Sequence, residues 1–457
     1  MKKNYIYLSR LLFLLLLITG CHKNDIPAII PVVSAGKPAK SYSGQYLRSY
    51  YTLLCRISKS TSGFFPPQVA RAYGYIGIAN YEAVVNGIDS NKSLQGQITD
   101  FTIGTIIKPI ANKEYNWAIS SNAATAEILR RMFEQKITPA NLASIDSLEN
   151  TQLTTLSSNV SADIVNRSKD FGKSVATSVY QYSINDGGNL SYMDPFQLPF
   201  TMPADDFCWI PTSSTMHSIA PKWGTNRPFL TQDVNNTQPS PHIAFSTDPS
   251  SSFYKEAMNV YTQVKNNTFD QVDIVRFWAD DPFRTCTPCG HTFNIMIQLL
   301  EEDNASLEKS SVGFAALGIG ENDAFISCWK TKFTYNLIRP VSYIKKYIDP
   351  TFNTVIGTPP FPAYSSGHSC EIGAGTRVFI KLFTNGNGYY SFSDRSQLQY
   401  GFPVRNYSNF DEMASECANS RFYGGIHYDM DNVKGLQSGK AIGNNVTTMI
   451  HWPQNTQ

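Results

Sequence analysis

Ser420-Arg421-Phe422-Tyr423-Gly424-Gly425-Ile426-His427-Tyr428-Asp429-Met430-Asp431 sets a histidine and a carboxylate four residues apart, with an arginine six residues upstream of the histidine. At that step the Asp431 carboxylate can accept the proton of one imidazole nitrogen. This fixes the tautomer and leaves the other nitrogen free as a nucleophile or a metal ligand. Gly424-Gly425 lets the backbone turn and bring Arg421 alongside His427. A helix is expected over 426–447. Taken alone, a His–Asp pair is also what a satisfied core contact looks like.

Two earlier stretches carry related chemistry. Tyr364-Ser365-Ser366-Gly367-His368-Ser369 stands at the expected start of a helix over 366–385. A Ser-Gly turn there exposes backbone N–H groups where the helix dipole favours negative charge. Ser366 adds a hydroxyl, Gly367 permits close approach, and His368 can donate or accept a proton. Lys332-Phe333-Thr334-Tyr335-Asn336-Leu337-Ile338-Arg339-Pro340 places two cations seven residues apart, on one face if the segment is helical, before Pro340 discourages further helix. Each stretch alone has a plain explanation, a capping serine or a solvated basic face.

Around these motifs the pattern is helical. Apolar residues recur at three- and four-residue steps from Pro66-Pro67 onward, and again near 113–135, 139–158, 159–184, 252–282 and 288–337. Few runs alternate with period two, so the fold class is all-α. Residues 186–250 hold 9 of the 25 prolines, with Trp209 and Trp223, and read as a long ordered loop over a helical body.

In order, the three stretches read Lys–six–Arg-Pro, Ser-Gly-His and Ser-Arg–five–His–three–Asp. This combination resembles the signature of the vanadium-dependent haloperoxidases and the type 2 phosphatidic acid phosphatases. One letter departs: the family usually has proline where Ser365 stands, which touches loop rigidity and no catalytic group. The resemblance spans roughly residues 46–450. It implies a helical bundle of the haloperoxidase and acid phosphatase type with long ordered loops. It further implies that Lys332, Arg339, Ser366, Gly367 and Arg421 bind the oxyanion. His427 would be the vanadate ligand or phosphorylated nucleophile, oriented by Asp431, and His368 the acid–base. Trp329 and Phe361 match aromatic positions near the halide side, and Asp281, in Phe277-Trp278-Ala279-Asp280-Asp281, matches a carboxylate that supports Arg421.

Vanadate and phosphate are both tetrahedral oxyanions that expand to five-coordination, so the resemblance implies two chemistries at one site. The first is oxidation of halide by hydrogen peroxide with vanadate as cofactor. The second is hydrolysis of a phosphate ester through a phosphohistidine, with no cofactor. Trp329 and Phe361 lean toward the first. A degenerate lipoprotein that only binds oxyanions or partners is a third reading, which the intact His368 and His427 disfavour.

The remaining sequence bounds the setting. Lys2, Lys3 and Arg10 precede eight apolar residues, Leu11–Ile18, too few to span a bilayer. Ile18-Thr19-Gly20-Cys21 resembles the lipobox of bacterial lipoproteins, which implies a signal peptide over 1–21, lipidation at Cys21 and a location in the cell envelope. Residues 22–45, with Pro27, Pro31, Gly36 and Pro38, read as a tether ahead of one domain over 46–457. A net charge of +2 gives no reason to expect nucleic acid. Cys286-Thr-Pro-Cys289 lacks the second CxxC of a zinc cage, and reads as a short-range disulfide or two buried thiols rather than a metal or redox site. The histidines outside the motif show no metal spacing, and only His291 lies near the Asp281 segment.

Overall fold

The body is built on one long central helix. The computed structural model describes residues 36–453 apart from 91, 213, 215 and 385–387. The expected signal peptide over 1–21, with Cys21, lies outside the described residues. The helices in chain order are α1 (Gln45–Ser60), α2 (Pro66–Val84), α3 (Trp117–Phe133), α4 (Pro139–Leu156), α5 (Ala162–Ser183), α6 (Thr231–Asn235) and α7 (Ser252–Lys265). They continue as α8 (Phe269–Phe277), α9 (Thr287–Glu302), α10 (Leu307–Tyr335), α11 (Pro340–Tyr347), α12 (Gly367–Phe383), α13 (Phe410–Tyr423) and α14 (Asp429–Met449). A small antiparallel pair joins β1 (Phe392–Asp394) to β2 (Arg405–Tyr407). The mainly helical reading of the sequence matches the observed fold.

Local chemistry explains where helices start. Pro66-Pro67 and Pro139 occupy first turns, where no backbone N–H is needed. Thr268 and Gln271 form a reciprocal capping box at the start of α8. Ser306 caps α10 by accepting the Lys309 N–H at 3.2 Å. α10 is buried on nearly every side, as a helix through the middle of a large core must be. Gly74 and Gly318 let α2 close on it, since a Cβ at 318 would stand 2.9 Å from the Gly74 Cα.

Two expected helices are broken. The 252–282 stretch divides at 266–268 and the 288–337 stretch at 303–306, where capping residues Thr268 and Ser306 stop the pattern. The 36–44 segment, read as tether, is part of the body. Ala39 is fully buried, Ser43 bridges Ser306, and the Gly44 N–H donates to the Ala305 carbonyl at 3.0 Å. Cys286 pairs with Cys55, not with its sequence neighbour Cys289, which is a buried thiol. A partner 231 residues away carries no signal in local spacing. The 186–250 segment is the expected ordered wrap. Its Phe229 and Leu230 N–H groups donate to the buried Asp323 carboxylate at 2.8 and 2.7 Å.

The packing of α14 on α12 places the site. Gly435, Gly439 and Gly443 face α12, and a Cβ at 439 would come 1.9 Å from the Cys370 carbonyl oxygen. Gly439→Ala is therefore expected to lower stability by at least ~1–3 kcal/mol, because backbone rather than a movable side chain stands in the way. Chemical denaturation checks this, and an unchanged midpoint would mean the two helices have slack.

Candidate active site

His427 stands just outside a helix rather than within one. α13 ends beyond Arg421, Gly425 takes φ +76 to reverse the chain, and α14 begins after Tyr428. Asp431, in the first turn of α14, receives His427 Nδ1–H at 2.9 Å and the Tyr428 N–H at 3.1 Å on the same oxygen. The carboxylate thus fixes the imidazole tautomer and caps the helix at once. His427 Nε2 keeps its lone pair and accepts Arg339 Nη1–H at 3.0 Å. The Asp431 carbonyl also accepts the Ser366 N–H at 3.0 Å, tying the start of α14 to the start of α12.

Ser366 is the N-cap of α12, so Gly367 and His368 occupy its first turn as expected. Lys332 and Arg339 depart from expectation, for they do not share a helix. Asn336 ends α10 in the left-handed region at φ +50, and Arg339 is the N-cap of α11. Both side chains are nevertheless fully buried and act on the same imidazole. Arg339 Nε donates to the Phe361 carbonyl and Nη1 to the Ile426 carbonyl, each at 2.8 Å. Lys332 Nζ gives its protons to the carbonyls of Pro362, Ala363 and Ser365, the first two at 2.9 and 3.0 Å. Its contribution to an anion is therefore charge rather than a free hydrogen bond.

Arg421 Nη1 donates to the Trp278 carbonyl at 2.7 Å. Asp281 makes no ion pair with it among the described residues. It acts on the guanidinium through its charge, together with Asp280, from the same cavity wall. The signal missed in the sequence is thus the main chain of Trp278, one part of a braced segment. His291 Nδ1 lies 2.9 Å from Asp280 Oδ2, its Nε2 3.3 Å from Asp394 Oδ2, and the Trp278 ring stacks on it at 4.4 Å. Burial opposes its charge, but the two carboxylates outweigh burial and raise the imidazole to about 10. The brace holds a strained strap: Asp280, Phe283 and Thr287 all take φ between +49 and +67.

Electrostatics single out what the site wants. Burial, together with Arg421, pushes His368 well below the usual histidine range. Burial, with Arg339, Lys332 and Arg421 beside it, does the same to His427. Burial lowers Arg339 to about 9 and, with Arg339 adjacent, Lys332 to about 7. Arg339 Nη2, Arg421 Nε and His368 Nε2 are buried with no hydrogen-bond partner in the protein. Crowded cations with unmatched donors describe an anion site. Among the described residues no cluster of three or more His, Cys, Asp and Glu could cage a cation. His368, Arg421 and His427 line one cavity of about 340 Å³, with Trp329 and Phe361 on its inner wall and ring centroids 5.0 Å apart.

An α-helical body whose α10–α14 segment brings buried cations and two histidines together is the class that fold and site define. Residues 313–455 match the family model of the VCPO second helical-bundle domain. The crystal structure of a bacterial vanadium-dependent iodoperoxidase superposes with a TM-score of 0.82 and 29% identity, over 92% of this chain and 100% of that one. A holo-type bacterial vanadium-dependent chloroperoxidase gives 0.61 at 11% identity, over 86% and 95% of the two chains. Its apo-type counterpart gives 0.62 at 12%, over 86% and 97%. The fold is that of the vanadium haloperoxidases, to which the phosphatidic acid phosphatase superfamily is related. No curated protein matches the chain by sequence.

Proposed function

We propose that this chain is a vanadate-dependent haloperoxidase that oxidises halide with hydrogen peroxide. One observation carries the reading: Arg339 Nη2, Arg421 Nε and His368 Nε2 are buried and unmatched around an imidazole whose Nε2 holds its lone pair. A tetrahedral oxyanion fits the two arginine donors with neutral His368 beside them, and the likeness to the iodoperoxidase and chloroperoxidase structures supports vanadate as that anion. When bound, vanadate supplies the Lewis-acidic centre that activates peroxide toward halide.

The chain's own residues do the rest. Arg339 and Arg421 neutralise oxyanion charge with their free N–H groups, and Lys332 adds charge from behind the loop carbonyls it binds. Ser366 and the Gly367 N–H sit at the positive end of α12. Asp431 keeps the proton on His427 Nδ1, so Nε2 is the atom offered to the oxyanion. His368, neutral at rest, accepts and returns a proton at Nε2 as peroxide is consumed. Trp329 and Phe361 present an apolar wall, which suits a weakly hydrated halide. No described helix is long and apolar enough to cross a membrane. The proposal places the enzyme in the cell envelope, held through a lipidated Cys21.

The test adds orthovanadate to the purified protein with peroxide and each halide in turn. Halide oxidation should rise with vanadate and fall when phosphate competes. Hydrolysis of a phosphate ester that vanadate suppresses, with no halide oxidised, would move the assignment to phosphatase.

A further inference from the structure

The site leaves more room than the oxyanion, a halide and peroxide together can fill. A cavity of about 340 Å³ corresponds to roughly ten liquid waters, and lies within the size range of pockets that bind small organic molecules. Its basic lining groups, His368, Arg421 and His427, belong to the oxyanion centre. The walls toward the mouth are aromatic. Phe65, at the start of α2, Phe196, from the wrapping segment, and Phe283, from the strained strap, come from three distant parts of the chain. The Phe65 ring meets Phe283 edge-on at 5.6 Å and Phe196 at 6.2 Å. Trp329 and Phe361 face the same space from within.

Charge narrows the occupant further. Arg421 is the only lysine or arginine among the described lining residues, and the oxyanion claims it. The other charged lining groups are the Asp280 and Asp281 carboxylates. Asp280 is held by His291, so an organic anion would find no unclaimed cation beside the rings and the Asp281 carboxylate against it. A neutral aromatic ring finds edges and faces arranged for it.

We propose that this vestibule binds a neutral aromatic acceptor of one or two rings and holds it above His368, so that halogenation happens in the pocket rather than in bulk solution. The proposal rests on the haloperoxidase reading. Halide, peroxide and a proton give hypohalous acid and water. The acceptor's ring carbon then takes the halogen as the oxygen–halogen bond breaks, and the displaced ring proton leaves with the hydroxide as water. The protein's part is to keep acceptor and hypohalous acid together before the latter escapes.

Two measurements on the full-length protein test this. The first is calorimetric titration with 2-naphthol, without peroxide or halide. Saturable binding is expected, and Phe283→Ala should weaken it by at least ~fivefold, the loss of one aromatic contact. Phe283 is 43% exposed, so its truncation leaves the core intact. The second sets 2-naphthol against a small hydrophilic acceptor, in the vanadate-loaded enzyme and with reagent hypohalous acid of the same halogen. The enzyme should favour naphthol over the reagent's ratio by at least ~fivefold, and Phe283→Ala should erase the preference. An enzyme ratio equal to the reagent's, or no saturable binding, overturns the proposal. No halide oxidation alongside Phe283-dependent naphthol binding would instead overturn the haloperoxidase reading and support the aromatic site.

Discussion

His427→Ala is expected to abolish turnover at the oxyanion centre, by on the order of 10³-fold or more, while the protein stays folded. With Nδ1 protonated toward Asp431, His427 Nε2 offers its lone pair to an incoming oxyanion. Burial and the surrounding cations keep the imidazole neutral, so the pair is available at ordinary pH. The fold should survive because His427 lies outside α14. Asp431 would still accept the Tyr428 N–H, and the Ser366 N–H would still reach the Asp431 carbonyl. Asp431→Asn should be milder, roughly 10–100-fold in oxyanion affinity, since it weakens orientation without removing the ligand. Vanadate titration followed by halide oxidation measures both, with thermal unfolding alongside. Full turnover in purified His427→Ala would remove His427 from the centre.

The parts legible in the sequence were those with a local geometric consequence. Ser366-Gly367-His368 reads as a capped helix start and is one, because Ser, Gly and a following apolar pattern act through the next few backbone atoms. The His427–Asp431 spacing was read correctly as a contact, though it bridges a helix start instead of following a helix face. Lys332 and Arg339 show the limit. Seven residues suggested two turns of one helix, but Asn336 takes the left-handed cap and α10 stops. The two cations converge instead from the end of α10 and the start of α11, held by carbonyls from 361–365 and 426, with Arg339 Nη2 left unmatched. Nothing in residues 332–340 announces those partners.

Long-range pairing was beyond local reading altogether. Cys55 and Cys286 are joined across the body, and the phenylalanines at the cavity mouth meet from three regions of sequence. His291 stood out only by lying near Asp281. Its true partners, Asp280 and Asp394, become visible once β1 folds beside α9. The brace explains why the 278–287 segment can hold three residues at positive φ, since a buried charged imidazole between two carboxylates resists relaxation of the strap.

Replacing Arg339 or Arg421 by alanine should weaken oxyanion binding by ~2–3 kcal/mol, roughly 30–150-fold, because each removes a buried, unmatched charged donor. Lys332 should act differently. Its N–H groups are taken by carbonyls, and burial with Arg339 nearby lowers it to about 7. A bound anion restores its charge and raises that value, so binding above about pH 7 takes up a proton. Affinity should be flat where Lys332 is already charged, and should fall by up to ~tenfold per pH unit above that point. Sulfate is the suitable ligand, since its own charge does not change through the neutral range. Calorimetry in buffers of different ionisation heat would count the proton taken up. Lys332→Met should abolish the slope and bind sulfate at every pH as weakly as the unaltered protein does at high pH. A flat native profile with no proton uptake would mean that Lys332 keeps its proton, and that the three cations are less crowded than their burial implies.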